Sequence, residues 1–153
     1  MTTPHESAMN ERTGPVFRSH QEAMIKGDMA VIDELYGEDF VNHSPGLPDD
    51  MRNGPGAIKG SYGFLRSAFS DMVIEHHDVI VDGDLVGLRW TWHATHVGPF
   101  LGIPPTGARV SIEGYDLILV SDGKIRGAWV YQDNLDLMAQ LGAASASQAA
   151  AEG

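Results

Sequence analysis

The chain has 153 residues, of which 10 are basic and 21 acidic, so its formal net charge is −11. This length fits one domain, and the negative charge disfavours nucleic-acid and anionic-membrane partners. Because the chain has no cysteine, disulfides, thiolate chemistry and cysteine-based zinc sites are excluded. The compartment that we expect from this composition is the cytoplasm.

The N-terminal half of the sequence has apolar residues at helical spacing. Residues 1–12 are polar, and we expect them to form a flexible arm ahead of the first helix. That helix is predicted to start near Pro15, since proline is favoured in the first helical turn, and to stop at Gly27. The sequence then predicts a helix over 29–36, a loop over 40–46 and a helix over 55–69.

From Met72 onward the apolar spacing changes to the alternation that is typical of strands. Asp82-Gly83 and Asp122-Gly123 are strong turn signals between such segments. Helices followed by an antiparallel meander indicate an α+β fold, in which a curved antiparallel sheet wraps around the N-terminal helices. The domain is expected to span 13–142, and the Ala/Ser-rich residues 143–153 to form a disordered tail. The predicted strands are 73–81, 85–96, 109–120 and 124–133, and a short helix is predicted over 135–141.

The second hairpin predicts which side chains share a face of the sheet. A regular register across the Asp122-Gly123 turn places Asp116 opposite Trp129. Since strand side chains alternate between faces, Tyr131 and Asp133 then lie on that same concave face. Two carboxylates and two aromatic rings facing inward suit a proton-transfer pocket, because burial raises the pKa of a carboxyl group toward neutrality.

The neighbouring strand adds a basic side chain to this face. Arg89 is expected to reach Asp116, either as a substrate-binding residue or in a buried ion pair that orients the sheet. Trp90 and Trp92 would then lie on the outer face of the sheet, within an apolar stripe. We therefore expect a homodimer or homotetramer that forms through the outer sheet face.

Several short motifs occur in an order that is familiar from one protein family. They are Asn42-His43-Ser44-Pro45, Gly54-Pro55-Gly56, Gly102-Ile103-Pro104-Pro105-Thr106-Gly107 and Asp122-Gly123-Lys124-Ile125. From Phe17 to Gly142 the chain resembles the SnoaL-like polyketide cyclases of the nuclear transport factor 2-like superfamily. The resemblance implies a cone-shaped fold and a cofactor-independent enzyme that closes a ring in a polyketide-type intermediate by an aldol-type reaction. Epoxide-opening enzymes, hydroxylases and non-catalytic binding proteins share this fold, so these functions stay open as alternatives.

The resemblance also implies a catalytic residue. Cyclases of this family use an Asp near the end of the chain as acid and base, and by its place after the tryptophan of the last strand that residue corresponds to Asp133. The alternative is that Asp133 only caps the final helix. Trp129 and Tyr131 would exclude water and stack against a polycyclic substrate. Asp116 is a further catalytic candidate that would tune the pocket.

Other polar and aromatic residues are expected around the pocket. His43 could hydrogen-bond a substrate carbonyl or shuttle protons to Asp133, or it could bond only to the backbone. His96 has the same options, with the alternative that it shapes the Pro-rich loop beside it. Phe40 and Tyr62 complete the predicted substrate-binding set.

The seven histidines show no compact ligand spacing such as HExxH. We therefore predict neither a metal nor a cofactor, and the expected partner is a small aromatic or polycyclic molecule. No Arg-x-Asp sequence occurs, which argues against one arrangement used for epoxide opening. Asp116, Arg89 and Asp133 could still assemble a comparable group from three strands.

Overall fold

Four α-helices and five β-strands make up residues 3–142, the part of the chain that the computed structural model describes. The helices are α1 (Pro4–Arg18), α2 (Ala30–Leu35), α3 (Gly54–Ala68) and α4 (Asn134–Gln140). The strands are β1 (Tyr36–Asn42), β2 (Phe69–Asp82), β3 (Leu85–His96), β4 (Arg109–Ser121) and β5 (Lys124–Gln132). A π-helical segment, Ser19–Ile25, continues α1, and a short 3₁₀ turn, Asp49–Met51, precedes α3. The predicted tail over 143–153 lies outside the described residues.

The five strands form one sheet in the order β1-β5-β4-β3-β2. β1 runs parallel to β5, and the other neighbouring strands are antiparallel. The helices pack on the face of the sheet where alternate residues of β3 and β4 are buried. The predicted α+β fold is therefore confirmed. The loop predicted over 40–46 is wrong at its start, because β1 continues to Asn42 and buries Tyr36 and Phe40 in the core.

The first helix begins at Pro4, so the prediction of a start near Pro15 is wrong, and residues from Pro4 to 12 are helical instead of forming an arm. Thr3 explains the early start: its hydroxyl accepts a hydrogen bond from the Glu6 amide at 3.1 Å, and the Glu6 carboxylate accepts one from the Thr3 amide at 2.8 Å. This reciprocal pair is a capping box, which satisfies amide groups that a helix leaves free at its start. Pro15, the predicted start, lies inside α1.

The prediction for the two faces of β3 is wrong. Trp90 and Trp92 point inward and keep only 5% and 4% of their surface exposed. Arg89 therefore points outward, where its Nε donates to Asp78 Oδ2 at 2.7 Å, and Nη1 lies 3.7 Å from Glu113. The larger apolar side chains of β3 pack against the helices. Because side chains alternate between the two faces of a strand, the charged side chains of β3 then point outward.

The predicted register between β4 and β5 is wrong by one residue. Val120 pairs with Ile125, as a regular hairpin requires, but the register shifts at the next pair of β4. Asp116 therefore lies opposite Val130, and Trp129 lies opposite Leu117. The extra residue in β5 is a β-bulge, and a slip of one residue moves the side chains beyond it to the other face of the strand.

Candidate active site

A cavity of about 520 Å³ lies between the helices and the inner face of the sheet. Much of its wall is apolar, with Trp90 and Trp92 of β3 and Ile118 of β4 among the contributors. Polar side chains come from the helical side and include Ser19 and His20 of the π-helical segment. A mostly apolar cavity of this volume with a few polar groups is suited to one small organic molecule.

Asp116 is a buried carboxylic acid in the sheet that forms this wall. It keeps 7% of its surface exposed, and its β4 and β5 neighbours Ile118 and Val130 line the cavity. The indole Nε1–H of Trp90 donates to Asp116 Oδ1 at 3.0 Å. Burial raises the pKa of Asp116 to about 6, and the hydrogen bond from Trp90 opposes that rise. The carboxyl group can thus hold or release a proton near neutral pH.

His20 lies beside this carboxyl group, with its Nε2 3.6 Å from Asp116 Oδ2. Burial, and then the neighbouring His76, lower the pKa of His20 to about 3, so its ring is neutral at neutral pH. Its Nδ1 lies 2.9 Å from His76 Nε2. An ionised Asp116 favours the proton of His20 on Nε2, and Nδ1 then accepts a hydrogen bond from His76. The two residues form a polar contact but not an ion pair.

A cluster of three hydroxyl groups lies on the helical side of the cavity. Ser19 Oγ is 2.7 Å from Tyr36 Oη and 3.1 Å from Tyr62 Oη, and all three residues line the cavity. Burial is the largest cause that raises the pKa of both tyrosines, so both phenols stay protonated at neutral pH. The nearby Asp116 charge raises both values further. We call Ser19, Tyr36 and Tyr62 the hydroxyl cluster.

Asp133 is exposed and is not a lining residue, although Gln132 and Asn134 on either side of it are. Its Oδ1 accepts a hydrogen bond from the amide of Asp136 at 2.9 Å, so it caps α4, which is the alternative that the sequence leaves open. Asp116 is not a lining residue either, but its hydrogen-bond partner Trp90 and its neighbours Ile118 and Val130 are. The bulge in β5 separates these two carboxylates, since it changes which residues of that strand face inward.

His43 and Trp129 lie against each other outside the cavity lining. Their rings stack with centroids 4.5 Å apart, and the amide of His43 donates to the Ala128 carbonyl at 2.7 Å. Tyr131 contributes to the lining although 55% of its surface is exposed. The structure therefore does not bring His43 and Trp129 together with Asp116.

Three of the remaining predicted residues lie outside the lining, and one lies inside it. Arg89 is on the outer face, where it pairs with Asp78 instead of Asp116. His96 is fully buried, with Nδ1 2.9 Å from Thr106 Oγ1, so it fixes the Pro-rich loop. Phe40 packs its ring edge against Tyr36 in the core, at 5.0 Å between centroids. Tyr62 is part of the cavity wall.

Sequence reasoning missed Ser19, His20 and Tyr36 as site residues. His20 stands within the apolar stripe of the first helix, between Phe17 and Met24, and a histidine in such a stripe signals a buried polar group. Tyr36 gives the same signal at the end of the second predicted helix. Neither signal reveals which other polar groups these side chains meet, because their partners come from distant parts of the chain.

Neither a metal-binding cluster nor a membrane-spanning helix is found in residues 3–142. Within that range no group of three or more His, Asp or Glu side chains is arranged to hold a metal ion. No helix of the described range is long and apolar enough to cross a membrane.

Comparison with known proteins agrees with this architecture. A family model described as SnoaL-like polyketide cyclase matches residues 15–141. The aklanonic acid methyl ester cyclase DnrD of Streptomyces peucetius is 34% identical over 79% of this chain and 84% of its own length. The nogalonic acid methyl ester cyclase of Streptomyces nogalater is 31% identical over 72% of this chain and 83% of its own length. The crystal structure of wild-type IdmH from Streptomyces antibioticus superposes with a TM-score of 0.75 and 31% identity, over 86% of this chain and 98% of IdmH. The chain belongs to the SnoaL-like polyketide cyclase family.

Proposed function

We propose that this enzyme closes a ring in a polyketide methyl ester by an intramolecular aldol-type reaction, with Asp116 as acid and base. The observation that carries this proposal is a buried carboxyl group with a pKa of about 6, directly behind the wall of a 520 Å³ cavity, where it accepts a hydrogen bond from the lining residue Trp90. Two relatives are named as methyl ester cyclases, which supports this substrate class.

The reaction balances without an added reactant. The Asp116 carboxylate removes a proton from the carbon next to a substrate carbonyl, and the electron pair moves to that carbonyl oxygen to give an enolate. The enolate carbon then forms a carbon–carbon bond to a second carbonyl of the same molecule. The resulting alkoxide takes the proton back from Asp116, so the product is an isomer of the substrate.

The environment of Asp116 suits both proton transfers. A base works best when its pKa is near the working pH, and burial brings this carboxyl group there. His20 stays neutral, so no full positive charge beside the carboxylate weakens it as a base. The side chain lies on the inner face of β4, between Ile112 and Ile118, which both line the cavity. Apolar walls keep water away from the enolate.

Turnover of the wild type and of Asp116→Asn on aklanonic or nogalonic acid methyl ester tests this proposal. We expect the substitution to lower kcat by about 10²- to 10⁴-fold, the range for losing a general acid/base, while ligand affinity stays within a few-fold. Asn keeps an acceptor for the Trp90 indole, so the cavity should keep its shape.

Asp133→Ser is the matched control, because serine also caps a helix but cannot act as a carboxylate base. We expect this variant to retain turnover. Loss of turnover in Asp133→Ser with activity retained in Asp116→Asn would contradict the assignment. Ligand binding without turnover by the wild type would favour a non-catalytic binding protein.

We also propose that the chain forms a homodimer or homotetramer through the outer face of the sheet. The residues that support this differ from those that the sequence indicates. Tyr115 and Leu117 of β4 are 56% and 40% exposed, and they lie opposite Tyr131 and Trp129 of β5. A contiguous apolar patch of this kind on a sheet surface is typical of a protein–protein contact.

A further inference from the structure

We propose that the hydroxyl cluster Ser19, Tyr36 and Tyr62 binds the oxygen atom of the substrate carbonyl that becomes the enolate. This inference rests on the proposed aldol-type function and adds a second chemical group to it. Asp116 would take the proton, and the cluster would stabilise the negative charge that the proton leaves behind.

The three hydroxyl groups of the cluster can turn to donate to a ligand. Ser19 Oγ lies 2.7 Å from Tyr36 Oη and 3.1 Å from Tyr62 Oη, and in each contact either oxygen can be the donor. Each hydroxyl group can donate one proton and can also accept, so a ligand oxygen can take one proton while contacts within the cluster remain. All three residues line the cavity.

Ser61 adds a hydroxyl donor to the cavity wall beside the cluster. Ser61 Oγ is buried, and among the described residues it has no hydrogen-bond partner. Ser61 also lines the cavity, one residue before Tyr62 on α3. A buried hydroxyl group without a hydrogen-bond partner costs stability unless a ligand or water bonds to it. We therefore expect Ser61 to bond to a ligand or to water in the cavity.

The cluster and Asp116 meet at the same part of the cavity, because His20, whose Nε2 lies 3.6 Å from Asp116 Oδ2, follows Ser19 directly in the π-helical segment and also lines the cavity. The negative charge of Asp116 raises the pKa of both tyrosines, although burial is the larger cause. The phenols therefore remain neutral donors, and a ligand oxygen at the cluster has the carboxylate nearby. Removing a proton next to a carbonyl needs this arrangement of a base and a donor to the carbonyl oxygen.

Three separate elements hold the cluster in place. Ser19 comes from the π-helical segment, Tyr36 from the junction of α2 and β1, and Tyr62 from α3. The Tyr36 ring is fixed edge-on against Phe40 in the core. Donors that are oriented before the substrate arrives gain most when charge develops, because they need no rearrangement during the reaction.

Binding of substituted naphthols tests the cluster without any turnover. A naphtholate resembles an enolate oxygen on a flat ring, and its absorbance reports whether the bound molecule is ionised. The measurement is made in the Asp116→Asn background, where the neutral amide stands in for the protonated carboxyl group that faces the enolate. We expect the more acidic naphthols to bind as naphtholates with higher affinity.

Removing a donor should weaken naphtholate binding selectively. Adding Tyr62→Phe or Tyr36→Phe should lower affinity for the ionised form about 10-fold or more, the loss typical of one hydrogen bond to a charged group, and change affinity for a neutral naphthol ether little. Tyr115→Phe is the control, because Tyr115 is exposed on the outer face. In enzyme with Asp116 intact, Tyr62→Phe should lower kcat with KM nearly unchanged.

Two results would overturn the inference. One is equal affinity for ionised and neutral naphthols in the Asp116→Asn background, and the other is naphtholate binding that survives both tyrosine substitutions. If Tyr36→Phe fails to fold, Tyr62→Phe and Ser19→Ala give the same comparison. A wild type that shows no cyclisation but retains the naphtholate preference would instead contradict the proposed function and leave the binding site in place.

Discussion

At the residue scale, the main feature is a carboxyl group that is buried without a positively charged partner. Asp116 is almost fully buried, and the neutral indole of Trp90 and the neutral ring of His20 are its polar neighbours. Neither group supplies a full positive charge to offset the loss of hydration, so the ionised form is costly. Such a cost is common where a protein keeps a group for chemistry, since function and stability favour different side chains.

This cost makes stability depend on pH in a defined direction. The folded protein holds the Asp116 proton more tightly than the unfolded chain, because the pKa is about 6 in the folded state and 3.8 ordinarily. The stability contribution of this proton is complete below about pH 4 and is lost as pH rises through 6. Asp116→Asn should therefore gain free energy of unfolding relative to the wild type between pH 4 and 7, by up to about 3 kcal/mol.

Urea unfolding of both proteins at pH 4 and pH 7.5 measures this difference. Asp133→Ser serves as the comparison, since Asp133 is exposed and should show no gain of this kind. A difference between wild type and Asp116→Asn that is the same at both pH values would contradict a buried carboxyl group with a raised pKa.

At the element scale, the sequence predicts the bounds of the strands better than it predicts which side chains point into the core and which strands pair. The bounds of β3 agree with the prediction, because its alternation is regular and glycine turns limit it at one end. β1 was not foreseen, since its interior holds Gly37, Glu38 and Asp39 and does not alternate cleanly. That strand gains its stability from parallel pairing with β5, a long-range contact that has no local signal.

The bulge in β5 explains why the candidate site was only partly foreseen. Tyr62 and Tyr131 were predicted as site residues and line the cavity, and Asp116 lies behind its wall, but Trp129 and Asp133, also predicted on this face, are not lining residues. The outward residues Arg126 and Asp39 form an ion pair at 2.7 Å beside the register shift. A bulge depends on such contacts between distant segments, so strand periodicity alone does not reveal it. The helical side of the site depends likewise on Ser19 meeting tyrosines from two other elements.

At the scale of the whole molecule, the sheet has two different faces. The inner face and the helices enclose the cavity, whereas Tyr115, Leu117 and Trp129 leave an apolar patch outside. The sequence predicts association through this side of the sheet but assigns it to the wrong residues. Self-association would cover the patch and leave the chemistry to each chain's own cavity.

Sedimentation velocity of the wild type and of Leu117→Glu tests this contact. We expect the wild type to sediment as a dimer or tetramer at micromolar concentration and the variant to shift to monomer, because a buried unpaired charge opposes association. Leu135→Glu is the control, since Leu135 is 81% exposed and belongs to α4, not to the sheet. A monomeric wild type, or a variant that associates equally well, would contradict the proposed interface.

The pH dependence of kcat/KM for the wild type and for Trp90→Phe tests most directly whether Asp116 is the catalytic base. The wild type should gain activity as pH rises through about 6 and reach a plateau above it, because only the ionised carboxylate accepts a proton. Trp90→Phe removes the hydrogen bond that lowers the Asp116 pKa, so its curve should rise at higher pH. A flat profile between pH 5 and 8, or one whose midpoint is the same in both proteins, would contradict Asp116 as the base.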